Sequence, residues 1–227
     1  ERPREGLKDL LQSATVVICN SNYCSLALGL DDSSSVYNDF DNDDDEGDMM
    51  VKRFQKVLDL QAPKAKIGVM TIGSSGSCLL QRGKICCSNN DDDQIILRGE
   101  GEGEDSLPNV IEKRGALWCE AISVSEIVDT TGAGDSFQGG FLSALWGFCR
   151  KESTGATTSS SNDCCGDRDP LLFDREAVAH ALRVGTRVAA MKIKKIGARE
   201  GLPKEDHCIE NKENWGKRRV AERGPLH

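Results

Sequence analysis

The apolar positions along the chain follow two spacings, one helical and one strand-like, and together they predict most of its elements. Leu7, Leu10 and Leu11 share one face of a predicted helix over residues 5–13. Thr15-Val16-Val17-Ile18-Cys19 is a continuous apolar run, the pattern of a strand buried on both faces of a parallel sheet, with Asn20 at its C-terminal end. Helical spacing returns over residues 49–60 through Met50, Val51, Phe54, Val57 and Leu58. Lys66 to Ile72 is a second buried strand, and Thr71-Ile72-Gly73-Ser74-Ser75-Gly76 turns it into a hairpin with Ser77-Cys78-Leu79-Leu80-Gln81. Residues 115–123 and 125–129 read as strands. A helix after Asp135 runs through Phe137, Phe141, Leu142, Leu145, Trp146 and Phe148. A last helix over residues 174–195 places Ala177, Ala181, Val184, Val188 and Met191 at helical spacing, and leaves Lys192 and Lys195 on its solvated face.

Between these elements lie polar, low-complexity stretches at residues 31–48, 88–106 and 153–169, read as insertions, and a charged tail at residues 207–227. The remainder, residues 1–206, is expected to form one domain around one core. Residues 42–53 imitate a calcium loop through Asn42, Asp44, Glu46 and Gly47, but Arg53 stands where a bidentate glutamate is required.

Composition changes this picture little. The net charge of −8 is concentrated: residues 31–48 hold nine acidic residues and no basic one, so the rest of the chain carries about +1. There is no basic stripe for nucleic acid, no run of 18 apolar residues for a membrane span and no apolar leader after Glu1. The ten cysteines contain no C-x-x-C spacing, and Cys19, Cys78, Cys119 and Cys149 lie in apolar segments. Reduced thiols in an intracellular protein, cytoplasmic or plastid, are therefore expected.

The candidate chemistry is concentrated in Val128-Asp129-Thr130-Thr131-Gly132-Ala133-Gly134-Asp135-Ser136-Phe137-Gln138-Gly139-Gly140-Phe141. A strand, a glycine turn and a helix in that order leave backbone N–H groups at a helix N-terminus, where they hold an anion. A carboxylate at Asp135, in the first turn, can take a proton from a hydroxyl while the amides hold the group it attacks. The plain alternative is a common turn with Asp135 as helix N-cap. A Walker phosphate loop is excluded, since no Gly-Lys-Ser/Thr occurs, and Phe137 replaces the third glycine of a dinucleotide fingerprint.

Taken whole, the stretch resembles the C-terminal signature of the ribokinase-like sugar kinases, the phosphofructokinase-B family. Asp129 through Leu142 fit that signature at every position. The resemblance implies an α/β, three-layer, Rossmann-like fold: a mostly parallel sheet with helices on both faces. It also implies ATP-dependent phosphorylation of a sugar or nucleoside hydroxyl, with Mg2+ on the phosphates. Asp135 is then the general base and the Gly132-Ala133-Gly134 turn the anion hole. Thr71, Gly73 and Gly76 line the triphosphate, Thr186 borders the adenine, and Asn20 belongs to a motif whose magnesium-organising glutamate is here Tyr23. Asp129 and Thr131 offer oxygens to a potassium-like ion, K+, closed in by the Gly197–Pro203 loop. The resemblance covers only the C-terminal half of such enzymes, so this chain is expected to be a fragment without the sugar-contacting half and its lid. The rival expectation is a non-catalytic remnant that binds nucleotide or a partner protein.

Overall fold

The computed structural model describes residues 6–29, 46–82, 95–97, 107–113, 115–153 and 175–202. Its elements are α1 (Leu7–Ser13), β1 (Val16–Asn20), α2 (Ser21–Ala27), α3 (Glu46–Gln61), β2 (Ile67–Thr71), a 3-10 turn (Gly73–Ser75), β3 (Ser77–Gln81), β4 (Ile95–Leu97), β5 (Val110–Lys113), β6 (Ala116–Cys119), α4 (Ala133–Ser153) and α5 (Arg175–Lys192). The strands form one sheet in the order β1-β2-β3-β6-β5-β4.

Alternation along the central strands explains the three layers. In β2, Ile67 and Val69 point into a core with Phe137, Phe141 and Leu145 of α4 and Val178, Ala181 and Leu182 of α5. Met70 points to the opposite face, where Phe54, Val57 and Leu58 of α3 pack. Leu79 of β3 and Leu117 of β6 join the first core, while Cys78, Leu80 and Ala116 join the second. A strand residue turns its side chain to the face opposite its neighbour's, so a continuous apolar run is what a sheet covered on both sides requires.

Close helix packing depends on absent side chains. A Cβ at Gly140 of α4 would lie 2.9 Å from Val188 Cγ2, and one at Gly185 of α5 would lie 2.9 Å from the Phe137 carbonyl oxygen. The two helices meet at these glycines, and larger residues would force them apart.

The α/β class and the helices on both faces hold, but the sheet is mixed rather than mostly parallel. Among the described strands only β1 and β2 pair in parallel, and the other four pairings are antiparallel. The reason is local: β2 and β3 are joined by a short turn, and a turn that short permits only antiparallel return. At the edge of the described sheet, β1 buries Val17 alone, so its apolar run is less covered than expected. Helix α3 begins at Glu46, inside the stretch read as an acidic insertion, and its helical backbone through Arg53 is not a calcium loop. Ile95–Leu97 is a strand within what read as a polar insertion, and β5 was not anticipated. Of the strands expected over 115–129, only Ala116–Cys119 forms, and residues 120–130 are irregular. The insertion at 154–169, the bulk of 31–48 and the tail at 207–227 lie outside the described residues.

Candidate active site

The C-terminal end of β2, the N-terminus of α4 and the middle of α5 converge on one cleft of about 450 Å3. Its walls hold Thr71, Gly73 and Gly76 from the β2–β3 turn, Ala133 and Gly134 from α4, and Thr186 from α5. Residues chosen from three distant parts of the sequence thus share a single concavity.

The turn is held by two glycines in different ways. Gly76 has φ 99° and ψ −131°, a conformation that glycine alone adopts readily, and its carbonyl accepts from Ile72 N–H at 2.8 Å. The Thr71 hydroxyl donates to the Cys19 carbonyl at 3.4 Å. On the opposite wall the Thr186 hydroxyl lies 3.4 Å from Cys119 Sγ.

The α4 N-terminus differs in detail from the expectation. Gly132 takes φ 79° ahead of the helix, and Ser136 returns both its N–H (2.8 Å) and its hydroxyl (2.7 Å) to the Gly132 carbonyl. The Ala133 N–H donates to the Thr130 carbonyl at 3.1 Å and is therefore not available to an anion. The N–H groups of Gly132 and Gly134 have no acceptor among the described residues. Asp135 is the third helical residue, not the N-cap, and its side chain is exposed outside the cleft lining.

Asn20 and the Asp129–Thr131 pair also stand outside the lining. Asn20 caps α2: its Oδ1 accepts from Tyr23 N–H at 2.8 Å. Tyr23, in the position of the missing glutamate, directs its hydroxyl to Gln61 Oε1 at 2.5 Å and ties α2 to α3.

Asp129 binds the protein itself. Its Oδ1 accepts from Thr131 N–H and its Oδ2 from Gly197 N–H, both at 2.8 Å. These donors, the Thr131 backbone first, then the Thr131 side chain and the Gly197 N–H, hold the carboxyl down to about 2. Lys192, expected on a solvated face, is fully buried, with its ammonium against the carbonyls of Asp129 and Lys195. The junction of the signature turn with the Gly197 loop does form. At the place the resemblance gives to a potassium-like ion, the Asp129 carboxylate accepts from the Thr131 and Gly197 N–H groups and the Asp129 carbonyl from the Lys192 ammonium.

The reading of the sequence missed the third wall. Ala121, Ile122, Ser123, Val124 and Ile127 line the cleft from the irregular segment before the signature, as do Ala189 and Ala190 of α5 and Ile193 just after it. Residues 115–123 and 125–129 read as strands, and beyond Cys119 this stretch contributes cleft lining instead.

A family model described as pfkB family carbohydrate kinase matches residues 109–205. The ribokinase of Giardia lamblia superposes with a TM-score of 0.55 at 17% identity, over 91% of this chain and 46% of that one. The Arabidopsis thaliana ribokinase, solved with ribose and ATP, gives a TM-score of 0.51 at 17% identity, over 88% of this chain and 41% of that one. No curated protein matches. The chain therefore spans less than half the length of these ribokinases. The superpositions show that the chain has the ribokinase-like fold, and the pfkB family carbohydrate kinase model matches the part of it, residues 109–205, that carries the signature helix and α5.

Proposed function

We propose that this chain forms the nucleotide side of an ATP-dependent kinase acting on a sugar or nucleoside hydroxyl. The observation that carries the reading is the shared cleft, whose lining combines apolar side chains with a glycine turn and the N-terminus of α4. Ile122, Val124, Ile127, Ala190 and Ile193 offer apolar lining to a purine, and Thr186 belongs to the same lining. The Gly73–Gly76 turn and the Gly134 N–H offer close backbone approach and the positive end of the α4 dipole to phosphates.

Phosphoryl transfer demands positioning and charge stabilisation more than covalent chemistry from the protein. In this reading the N–H groups of Gly132 and Gly134 hold charge on the transferring phosphate. Asp135, exposed one residue further along the same helix turn, takes the proton from the acceptor hydroxyl. Among the described residues no three His, Cys, Asp or Glu side chains converge on a metal position. Magnesium enters as the companion of the nucleotide's phosphates, and it supplies charge neutralisation there. The acceptor class in this reading rests on the likeness to the pfkB family carbohydrate kinase model and to the ribokinases.

Saturable binding of MgATP by the chain, measured by calorimetry, tests the reading. Ile127 is 62% exposed at the cleft rim. Ile127→Glu removes an apolar contact and opposes the phosphates, and it should weaken binding at least about tenfold without lowering the melting temperature. A chain that binds no MgATP, or an Ile127→Glu variant that binds it as well as the wild type, would remove the basis of the proposal.

A further inference from the structure

Lys192 is the last residue of α5 and its side chain has no exposed surface. Burying an ammonium is costly unless oxygen atoms replace its water. Here the oxygens come from main-chain carbonyls: Lys195 at 3.2 Å, in the turn that follows the helix, and Asp129 at 3.4 Å, in the signature. The position also lies at the C-terminal end of α5, where the helix dipole favours positive charge. Two further bonds close the same junction, from Val128 N–H and Asp129 N–H to the Ile193 carbonyl, at 2.8 and 3.2 Å. The Asp129 carboxylate then reaches across to Gly197 N–H. A single buried cation thus sits among the carbonyls that join the signature turn to the loop after α5.

We propose that the Lys192 ammonium is the resident cation of this junction, a tethered positive charge that does the work of a bound monovalent ion and makes such an ion unnecessary. A free potassium ion needs several oxygens drawn around it. The oxygens of this junction instead accept from Lys192, Thr131 and Gly197. A tethered ammonium has the same charge, does not dissociate, and costs no binding entropy once the chain has folded. Lys192 acts as a positioning residue. It does not line the cleft, and it holds the Asp129 carbonyl, while Asp129 by its bonds to Thr131 and Gly197 holds the entrance to the Gly132–Gly134 turn. Its consequence for phosphate binding rests on the nucleotide reading above, whereas the cation substitution rests on the geometry of the junction.

The test is thermal melting of the chain without nucleotide, in potassium chloride and in tetramethylammonium chloride at a matched ionic strength of about 0.1 M. The wild-type melting temperature should agree in the two salts to within about 1 °C, because no native site is waiting for the smaller ion. Lys192→Ala should melt lower in tetramethylammonium and recover by about 5 °C in potassium or methylammonium, which fit the space released. Lys192→Met should melt lower in both salts, since its side chain fills the space without the charge. A saturable potassium-dependent rise in the wild type would overturn the proposal, because an ion would then bind beside Lys192. A Lys192→Met variant as stable as the wild type would overturn it too, by showing that the charge is not needed. If Lys192→Ala does not fold in either salt, the wild-type comparison alone decides. Absence of MgATP binding would count against the nucleotide reading and leave these melting results unaffected.

Discussion

Gly76 and Gly73 stand three residues apart in the turn that floors the cleft, and replacing each by alanine separates two effects usually confounded. Gly76 has φ 99° and ψ −131°, and a methyl built there would lie 2.1 Å from the Cys119 carbonyl oxygen and 2.8 Å from Ala121 N. Gly73 has φ 56°, and a methyl built there meets nothing within 4 Å. Alanine at position 73 therefore carries only the left-handed penalty, about 1 kcal/mol. Alanine at position 76 carries backbone strain of about 1–3 kcal/mol and a collision with β6 backbone of similar size, together about 4 kcal/mol. β6 cannot move away cheaply, because it is paired on both sides, with β3 and β5. For a chain of this size the losses correspond to about 3 °C and about 10 °C in melting temperature. Calorimetry or circular dichroism on the two variants measures both. If Gly76→Ala melts no lower than Gly73→Ala, then the contact between the turn and the end of β6 is not as tight as described, and the floor of the cleft is wrong.

Three other outcomes follow from the same structure. Asp135→Asn keeps the shape of a helix-surface side chain but removes the proton acceptor; wherever acceptor-dependent ADP release is observed, it should fall roughly 10²–10⁴-fold, and half-retained turnover would discard the role. Asn20→Ala removes the cap on α2 and should cost about 1 kcal/mol, with Asn20→Ser recovering most of it; a tenfold loss of MgATP affinity at unchanged stability would instead assign Asn20 to the ligand. Burial pushes the Cys78 thiol up to about 12 and the Cys119 thiol up to about 11, from an ordinary 9.0. Both groups are neutral in the folded and unfolded chains below about pH 9, and above it only the unfolded chain ionises freely. Stability should therefore decline from about pH 9 through 12, and Cys78→Ala with Cys119→Ala should flatten that decline in a urea titration.

What was legible beforehand divides along physical lines. Runs such as Ile67–Thr71 announce themselves because a strand covered on both faces must be apolar at every position, and α5 because its small and branched residues recur at helical spacing. Gly132 and Gly76 were legible as turn residues, since their backbone conformations exclude most other residues. Ile95–Leu97 and Val110–Lys113 were not, because three or four residues between polar neighbours carry too little periodicity to distinguish a strand from a loop. The segment at 121–127 misled for the opposite reason. It lay in stretches that read as strands, 115–123 and 125–129, but it lines a cleft and joins no sheet, and only the neighbouring elements decide between those uses.

Lys192 shows the deeper limit. By composition a lysine belongs in water, and nothing in its neighbours along the chain argues otherwise, since Lys194 and Lys195 nearby are exposed. Its burial is set by carbonyl groups, which every residue possesses and no side-chain pattern advertises. Asp129 brings one of them from 63 positions away, and the turn after α5 brings the other. The same holds for the Asp129 carboxylate, which the family resemblance offered to a cation and which accepts the Gly197 N–H at 2.8 Å. Side-chain chemistry names the groups available at a site, but backbone donors and acceptors decide how many of them remain free. Thr71, Gly73, Gly76, Gly134 and Thr186 share one cleft lining, whereas the Asp129 oxygens meet backbone N–H groups and the Lys192 ammonium.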